Sequence, residues 1–179
     1  MKILTYGAGG QLGRELMRQG HVLSLDIHGV AYPQTDISEI SQVESVFAAC
    51  HPDLVINAAA YTNVDRAESE PELAMAINKD GPANLGSVCA ENKIPLIHIS
   101  TDYVFDGMKG APYRETDPVS PLGVYGRSKA AGESAVRAMI DEHIILRTAW
   151  LYSSHGHNFV KTMLKLAAEK EEIRVVSDQ

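Results

Sequence analysis

The stretch Ile3–Gly13 reads Ile-Leu-Thr-Tyr-Gly-Ala-Gly-Gly-Gln-Leu-Gly, and it decides the fold. A short apolar run ends at Gly7, and a helix-like segment starts within the glycine-rich part. Glycines at 7, 10 and 13 permit a tight turn, let backbone N–H groups approach a pyrophosphate, and allow a helix to pack closely on a strand. The stretch therefore predicts the first strand, turn and helix of a nucleotide-binding unit.

Outward from this turn, strand-like and helix-like segments alternate. The predicted strands are Ile3–Tyr6, His21–Asp26, Asp53–Asn57, Ile94–Ser100, Ile144–Arg147 and Ile173–Val176. The predicted helices are Gln11–Gln19, Ser41–Cys50, Pro71–Asn92 with a break at Gly81-Pro82, Tyr125–Ile140 and Asn158–Lys170; a long loop covers Thr101–Gly123. This order predicts an α/β fold, a doubly wound parallel sheet of Rossmann type in a three-layer sandwich. Residues 1–179 are expected to form one such domain.

Composition narrows the class of protein further. The chain has 179 residues, is 45% hydrophobic and carries a formal net charge of −7. The acidic balance argues against partners with a phosphate backbone, so we expect no nucleic acid. Apolar runs are too short for a membrane span or a signal peptide, and the two cysteines match no metal spacing. We therefore expect a cytoplasmic protein with no membrane partner and no metal site.

An acidic residue supports the nucleotide-binding interpretation. Asp26 closes the predicted second strand, where a carboxylate accepts hydrogen bonds from the adenosine ribose and repels a 2′-phosphate. This placement predicts a preference for NADH over NADPH. Asp36 and Ile37, expected at the end of the third βα segment, are weaker candidates to flank the adenine.

A second constellation indicates proton transfer. Tyr125 and Lys129 form a YxxxK pair, and residues i and i+4 share one face of a helix. A nearby ammonium is expected to lower the phenol pKa, so that Tyr125 exchanges a proton with a substrate oxygen. Thr101 ends a predicted strand, where ligands bind in α/β sheets, and its hydroxyl would hydrogen-bond a carbonyl oxygen.

With the glycine turn, Asn57-Ala-Ala-Ala, Ser100-Thr101 and YxxxK in this order, the chain resembles the extended short-chain dehydrogenases/reductases. Within that family the blocks Asn57–Glu68, Ser100–Gly107, Tyr125–Lys129 and Arg147–Trp150 look like those of the dTDP-4-dehydrorhamnose reductases. Related nucleotide-sugar epimerases usually carry histidine where Asn57 stands.

The resemblance implies that the 4-keto group of dTDP-4-dehydrorhamnose is reduced to dTDP-L-rhamnose by NADH or NADPH. It implies roles for many single residues. Cofactor contacts are implied for Gly7, Gly10, Gln11, Leu12, Gly13, Asp26, Asp36, Ile37, Ala60, Tyr61, Thr62, Tyr125 and Lys129. Catalytic roles are implied for Tyr125 as proton donor and for Lys129 and Thr101, and substrate contacts for Thr101, Asp102 and Trp150.

The length of the chain, 179 residues, limits the activity that we expect from it. Family members continue for roughly another hundred residues, which supply much of the nucleotide-sugar domain. We therefore expect residues 1–179 alone to be nearly inactive, and a homodimer would belong to the full-length protein. Two alternatives stay open: a non-catalytic regulatory subunit of the methionine adenosyltransferase β type, and a reductase of another nucleotide 4-keto-sugar.

Overall fold

Five parallel strands form the centre of the part of the molecule that the structure describes. The structure is a computed structural model, and it describes residues 1–175. The strands are β1 (Lys2–Tyr6), β2 (Asp26–Val30), β3 (Leu54–Asn57), β4 (Leu96–Thr101) and β5 (His143–Thr148), in the spatial order β2-β1-β3-β4-β5. The chain therefore reverses its direction of progress across the sheet between β1 and β3, which is where open α/β sheets bind ligands.

Helices connect successive strands. They are α1 (Gln11–Val22), α2 (Ile40–Cys50), α3 (Val64–Ala67), α4 (Pro71–Met75), α5 (Gly81–Asn92), α6 (Val124–Met139) and α7 (Phe159–Glu169). A π-helical turn, Ala76–Asp80, joins α4 to α5, and a 3₁₀ turn, Asp102–Val104, follows β4. Right-handed crossovers place α1 on one face of the sheet and α2, α5 and α6 on the other. The doubly wound, three-layer architecture predicted from the sequence is confirmed.

The main core lies between the sheet and α2, α5 and α6. Its fully buried members include Leu4, Val43, Val55, Leu96 and Val136. Leu4, Val55 and Leu96 come from the short apolar runs of the strands, as expected for strands covered by helices, and Val43 and Val136 come from the helices that cover them. Because all five strands are parallel, their carboxyl ends lie at one edge of the sheet, and most of the predicted site residues lie near that edge.

The second strand differs from the prediction. His21 and Val22 continue α1, and β2 begins only at Asp26. Gly20 brings α1 close to β2, since a Cβ there would lie 2.3 Å from Ile27 Cγ2. Ser24 then makes the turn with φ 54°, so no glycine or asparagine marks it in the sequence. The strand predicted over His21–Asp26 is therefore wrong, because its apolar residues belong to the end of α1 and to the turn before β2.

Other predicted segments agree within a few residues. Pro71–Asn92 is helical throughout, and in place of a break at Gly81-Pro82 it contains a π-helical turn, Ala76–Asp80, directly before that pair. The predicted last strand, Ile173–Val176, is wrong over residues 173–175, which have no regular structure. Val176 lies outside the described residues.

Candidate active site

A cleft of about 1060 Å³ opens at the carboxyl edge of the sheet. Most residues that the sequence singles out line it: Gly7, Gly10, Gln11, Leu12, Asp36, Ile37, Ala60, Tyr61, Thr62, Thr101, Asp102, Tyr125, Lys129 and Trp150. Gly13 and Asp26 do not. The fold thus brings the glycine turn and the YxxxK pair, more than a hundred residues apart in the chain, to one cavity.

The glycine turn is held by close backbone contacts. Gly7 has φ +82°, and a Cβ there would lie 2.4 Å from the backbone nitrogen of Ala59. A Cβ on Gly13 would lie 2.2 Å from the Gly7 carbonyl oxygen. Gly13 therefore acts beneath the turn, by letting α1 approach it, and does not face the cleft.

The amino end of α1 points into the cleft, and α1 itself provides no negative charge there to offset the positive end of its helix dipole. Its N-cap, Gly10, supplies no side-chain hydrogen bond, and its first turn contains no acidic residue. Unpaired N–H groups and the helix dipole favour an anion at such an end. The side chain of Gln11 is held by Asn158, whose Nδ2 donates to Gln11 Oε1 over 3.0 Å.

Tyr125 lies at the first turn of α6, and its side chain is buried. Its ring meets that of Tyr103 edge to face, with the centroids 5.5 Å apart. Burial raises the pKa of the phenol above its ordinary value, and the neighbouring Thr101 side chain acts in the opposite direction. The lowered phenol pKa expected from Lys129 is therefore not seen; the phenol is held protonated.

Lys129 is buried one helical turn beyond Tyr125. Its Nζ donates a hydrogen bond to the carbonyl oxygen of Ile99 over 2.7 Å. Burial lowers the pKa of the ammonium to about 8, and the carboxylate of Glu133 opposes this effect. At neutral pH Lys129 is thus still mainly a cation.

Thr101 and Asp102 stand at the end of β4, facing Tyr125. The Thr101 hydroxyl donates to Asp102 Oδ1 over 3.0 Å and accepts from the backbone nitrogen of Tyr103 over 3.2 Å. These bonds fix the threonine oxygen at the cleft wall. Thr101, Tyr125 and Lys129 thus lie along the same cleft.

A buried asparagine, missed from the sequence, joins two walls of the cleft. Asn78 belongs to the π-helical turn; its Oδ1 accepts from the Tyr61 backbone nitrogen over 2.9 Å, and its Nδ2 donates to Ser128 Oγ over 3.0 Å. Gly132 lets α6 approach this turn, because a Cβ there would lie 2.0 Å from the Asn78 carbonyl oxygen. The segment bearing Ala60, Tyr61 and Thr62 is thereby fixed relative to Tyr125.

Glu68 completes the amino end of α6. Its Oε1 accepts a hydrogen bond from the backbone nitrogen of Val124 over 2.7 Å, a contact across 56 positions of sequence. The N-cap itself is Gly123, which has no side chain to supply this bond. No local signal predicts the contact, because the carboxylate comes from beyond α3.

The role predicted for Asp26 is wrong. The residue lies at the start of β2, in register with Lys2, and its Oδ1 contacts His28 Nε2 over 2.8 Å. It is therefore at the amino edge of the sheet, and the NADH preference loses its basis. Ala31 and Tyr32 occupy the cleft at the carboxyl end of β2 instead.

Asp36 and Ile37 do line the cleft, but in the connection between β2 and α2, so their predicted place in a third βα segment is wrong. Oδ1 of Asp36 accepts from the backbone nitrogen and the hydroxyl of Ser38, which makes a tight local turn. Ile37 is buried and touches Gly81, where a Cβ would lie 2.6 Å from the isoleucine side chain.

Trp150 stands at the rim, just after β5, with 53% of its surface exposed. Its backbone has φ +52°, a conformation costly for a bulky residue, and its ring packs edge to face on Phe159. This exposure shows that Trp150 is not a core residue. Its ring lies at the mouth of the cleft and is accessible to solvent.

His98 lies fully buried in β4, on the side of the sheet that faces α6. Its Nδ1 lies 3.1 Å from Asn57 Nδ2. Burial lowers its pKa from 6.5 to about 3, and the charge of Lys129 acts in the same direction. The ring is neutral in the folded protein throughout the physiological range.

We expect His98 to make the protein acid-sensitive. Between pH 6.5 and pH 3 the unfolded chain binds a proton at His98 that the folded chain does not. The free energy of unfolding should therefore fall as the pH decreases, with a slope of about 1.4 kcal/mol per unit from this group. Urea unfolding of the wild type, His98→Asn and the exposed control His21→Asn measures it. The prediction fails if His98→Asn retains the full slope.

No group of three or more His, Cys, Asp or Glu suited to a metal occurs within residues 1–175. Over the same residues, no helix has both the length and the apolar character needed to cross a bilayer.

Comparison with known proteins agrees with this geometry. The family model described as the RmlD substrate binding domain matches residues 1–179. A curated dTDP-4-dehydrorhamnose reductase of Sinorhizobium fredii is 45% identical over 179 residues, and one of Escherichia coli is 44% identical over 183. These matches cover 100% of this chain but 60% and 61% of the relatives, so the chain spans about three fifths of their length.

Solved structures of dTDP-4-dehydrorhamnose reductases are similar in fold. A dTDP-4-dehydrorhamnose reductase from Clostridium acetobutylicum has a TM-score of 0.96 at 42% identity, covering 100% of this chain and 64% of its own. One from Bacillus anthracis, in complex with NADP, has a TM-score of 0.92 at 42% identity, covering 97% and 62%. The family model spans every residue of the sequence, and the chain therefore belongs to the RmlD substrate-binding domain family.

Proposed function

We propose that this chain is the cofactor-binding and proton-donating part of an NAD(P)H-dependent reductase that converts dTDP-4-dehydrorhamnose to dTDP-L-rhamnose. One observation carries the proposal: the glycine turn, Thr101, Tyr125 and Lys129 line the same cleft. A turn suited to a pyrophosphate is thereby combined with a proton donor, which is what the reduction of a ketone needs.

The residues present fit a dinucleotide. A side chain at Gly7 or Gly13 would collide with backbone, so the turn stays bare and open to close approach by phosphate. The uncapped end of α1 then supplies N–H groups and positive potential for the diphosphate. Asp36, Ile37 and Tyr32 would border the adenosine half, and Ala60, Tyr61 and Thr62 the half nearer Tyr125.

Bound NAD(P)H supplies the hydride, and this chain's residues supply the proton and the geometry. Tyr125 keeps its phenolic proton because burial raises its pKa, so it holds that proton ready for the substrate oxygen. Thr101 offers a second polar contact to the same oxygen. Lys129, still charged at neutral pH, would bond the ribose next to the nicotinamide and favour the phenolate left behind.

The proposed substrate contacts lie on the same side of the cleft as Thr101. Asp102 accepts the bond of Thr101 and remains at the cleft surface, where sugar hydroxyls would find an acceptor. Trp150 offers an exposed apolar ring at the rim, suited to the face of a sugar. We also propose a single NAD(P)-binding domain over residues 1–179, a cytoplasmic location, and a homodimer of the full-length protein.

The test separates cofactor binding from turnover. Trp150 is the only tryptophan of the chain, so quenching of its emission measures binding of NADPH and NADH to residues 1–179. Turnover is measured in a chimera in which residues 1–179 replace the matching part of the Escherichia coli relative, by loss of reduced cofactor absorbance and by analysis of the sugar product.

We expect the chain to bind cofactor, and the chimera to form dTDP-L-rhamnose in amounts equal to the cofactor oxidised. A chimera that folds and binds NADPH but reduces no dTDP-4-dehydrorhamnose would contradict the proposal. Parallel assays with other nucleotide 4-keto-sugars decide whether the substrate is this one.

A further inference from the structure

A buried carboxylate on α6, Glu133, makes none of the contacts described so far, although its charge acts on Lys129. Glu133 lies four residues after Lys129 and eight after Tyr125, on the same face of the helix. Its side chain is only 1% exposed. A charge in such a place is costly unless it is paired, so its partners indicate its role.

Its first partner comes from the neighbouring strand. Arg147 of β5 holds the carboxylate with two hydrogen bonds, Nε to Oε1 over 2.8 Å and NH2 to Oε2 over 2.6 Å. This forked geometry is the strongest form of an arginine–carboxylate pair. Arg137, on the outer side of α6, adds a longer contact of 3.2 Å to Oε2.

Arg147 connects this pair to the wall that carries Thr101. It lies in register with Ser100 in β4, one residue before Thr101. Its guanidinium carbon stands 4.8 Å from the centre of the Phe105 ring. The Glu133–Arg147 pair therefore joins the helix of Tyr125 and Lys129 to the strand edge and to the loop that follows it.

From these contacts we propose that Glu133 is a positioning residue for the proton-donor site: held by Arg147 and lying one turn after Lys129 on the same buried face of α6, its carboxylate keeps the Lys129 side chain in place one turn from Tyr125. The proposal rests on the proposed function for its catalytic meaning. The reductase resemblance assigns Glu133 no role, and Glu133 does not line the cleft.

Among the groups around Lys129, Glu133 is the one whose charge favours the protonated lysine. His98, from β4, is neutral, and the π-helical turn contributes the neutral Asn78. Asp102, beyond β4, affects the phenol of Tyr125. Burial raises the pKa of Glu133, but hydrogen bonds from Arg147 and the charges of both arginines outweigh it, so the group stays ionised.

The decisive measurement is the titration of Lys129 itself. In protein labelled with ¹³C at the lysine ε-carbons, the Lys129 signal is assigned by its loss in Lys129→Arg and followed against pH. We expect the pKa of Lys129 to fall from about 8 by about one unit in Glu133→Gln, as removal of a close opposite charge requires. Arg137→Met, which leaves the Arg147 pair intact, should change nothing.

A second variant guards against misfolding. Glu133→Gln leaves the partly buried Arg147 with a weakened partner, whereas Glu133→Met combined with Arg147→Met replaces the pair by apolar side chains of similar length. The double variant should show a smaller fall in the same direction, because the positive charge of Arg147 is removed together with the nearer carboxylate. If either variant folds and Lys129 titrates as in the wild type, the proposal is overturned.

A binding readout tests the functional consequence. We expect NADPH affinity, measured by Trp150 emission, to decline with rising pH at a lower pH in Glu133→Gln than in the wild type. Should the wild type bind no cofactor, the proposed function fails, while the lysine titration still decides whether Glu133 controls Lys129.

Discussion

Tyr125→Phe should lower the turnover of dTDP-4-dehydrorhamnose by about 10²–10⁴-fold, the usual worth of a positioned general acid. Phenylalanine keeps the buried ring and its edge-to-face contact with Tyr103 but removes the proton that the ketone oxygen takes up. Cofactor binding should stay unchanged, because the glycine turn and Lys129 are untouched. The chimera described above gives turnover, and Trp150 quenching in residues 1–179 gives the cofactor affinity.

Tyr103→Phe is the matched control for this prediction. It removes a phenol from the partner ring, which is 43% exposed, and leaves the packing in place. We expect it to keep most of the turnover. Equal losses in the two variants would show that hydroxyl groups near the cleft matter collectively and that Tyr125 is not the specific donor.

Gly13→Ala should destabilise the fold by about 1–3 kcal/mol through overpacking and weaken cofactor binding at the same time. In an exposed helix this change would stabilise the protein by about 1 kcal/mol, since alanine is the better helix former. Here the new Cβ would lie 2.2 Å from the Gly7 carbonyl oxygen and 2.6 Å from the Ala8 Cα. Both neighbours are backbone, so α1 has to move away from the turn, and steric cost outweighs helix propensity.

Gly9→Ala provides the comparison within the same turn. Its Cβ would meet only the Ala31 Cβ, at an ordinary contact distance of 3.4 Å. Urea unfolding midpoints of both variants measure the difference in stability, and Trp150 quenching measures NADPH binding. A Gly13→Ala protein as stable as Gly9→Ala would mean that the turn and α1 are not packed this closely.

Local patterns were enough for much of the fold. The glycine turn, the YxxxK spacing and the apolar runs of β1, β3, β4 and β5 depend on residues close in sequence, and they lie where they were expected. The position of a residue along its strand was harder to predict from the sequence. Asp26 was assigned to the wrong end of β2, because α1 runs on through His21 and Val22 and Ser24 turns the chain without a glycine.

The supporting residues of the site show the same division. Glu133 was within reach of sequence reasoning, since it repeats the four-residue spacing of Tyr125 and Lys129 on one helix face. Glu68 could not be found from the sequence, because its carboxylate reaches the first turn of α6 from 56 positions away and no local pattern encodes that contact.

The sequence by itself determined the order of the elements, the open turn after β1 and the chemical groups available for proton transfer. Only the tertiary structure decided the register of β2, the burial that keeps the Tyr125 phenol protonated, and the pairing of Glu133 with Arg147. The physical reason is the separation along the sequence over which each interaction acts. Backbone preferences and helical spacing act over a few residues, whereas desolvation and ion pairing depend on which distant segments the packed core brings together.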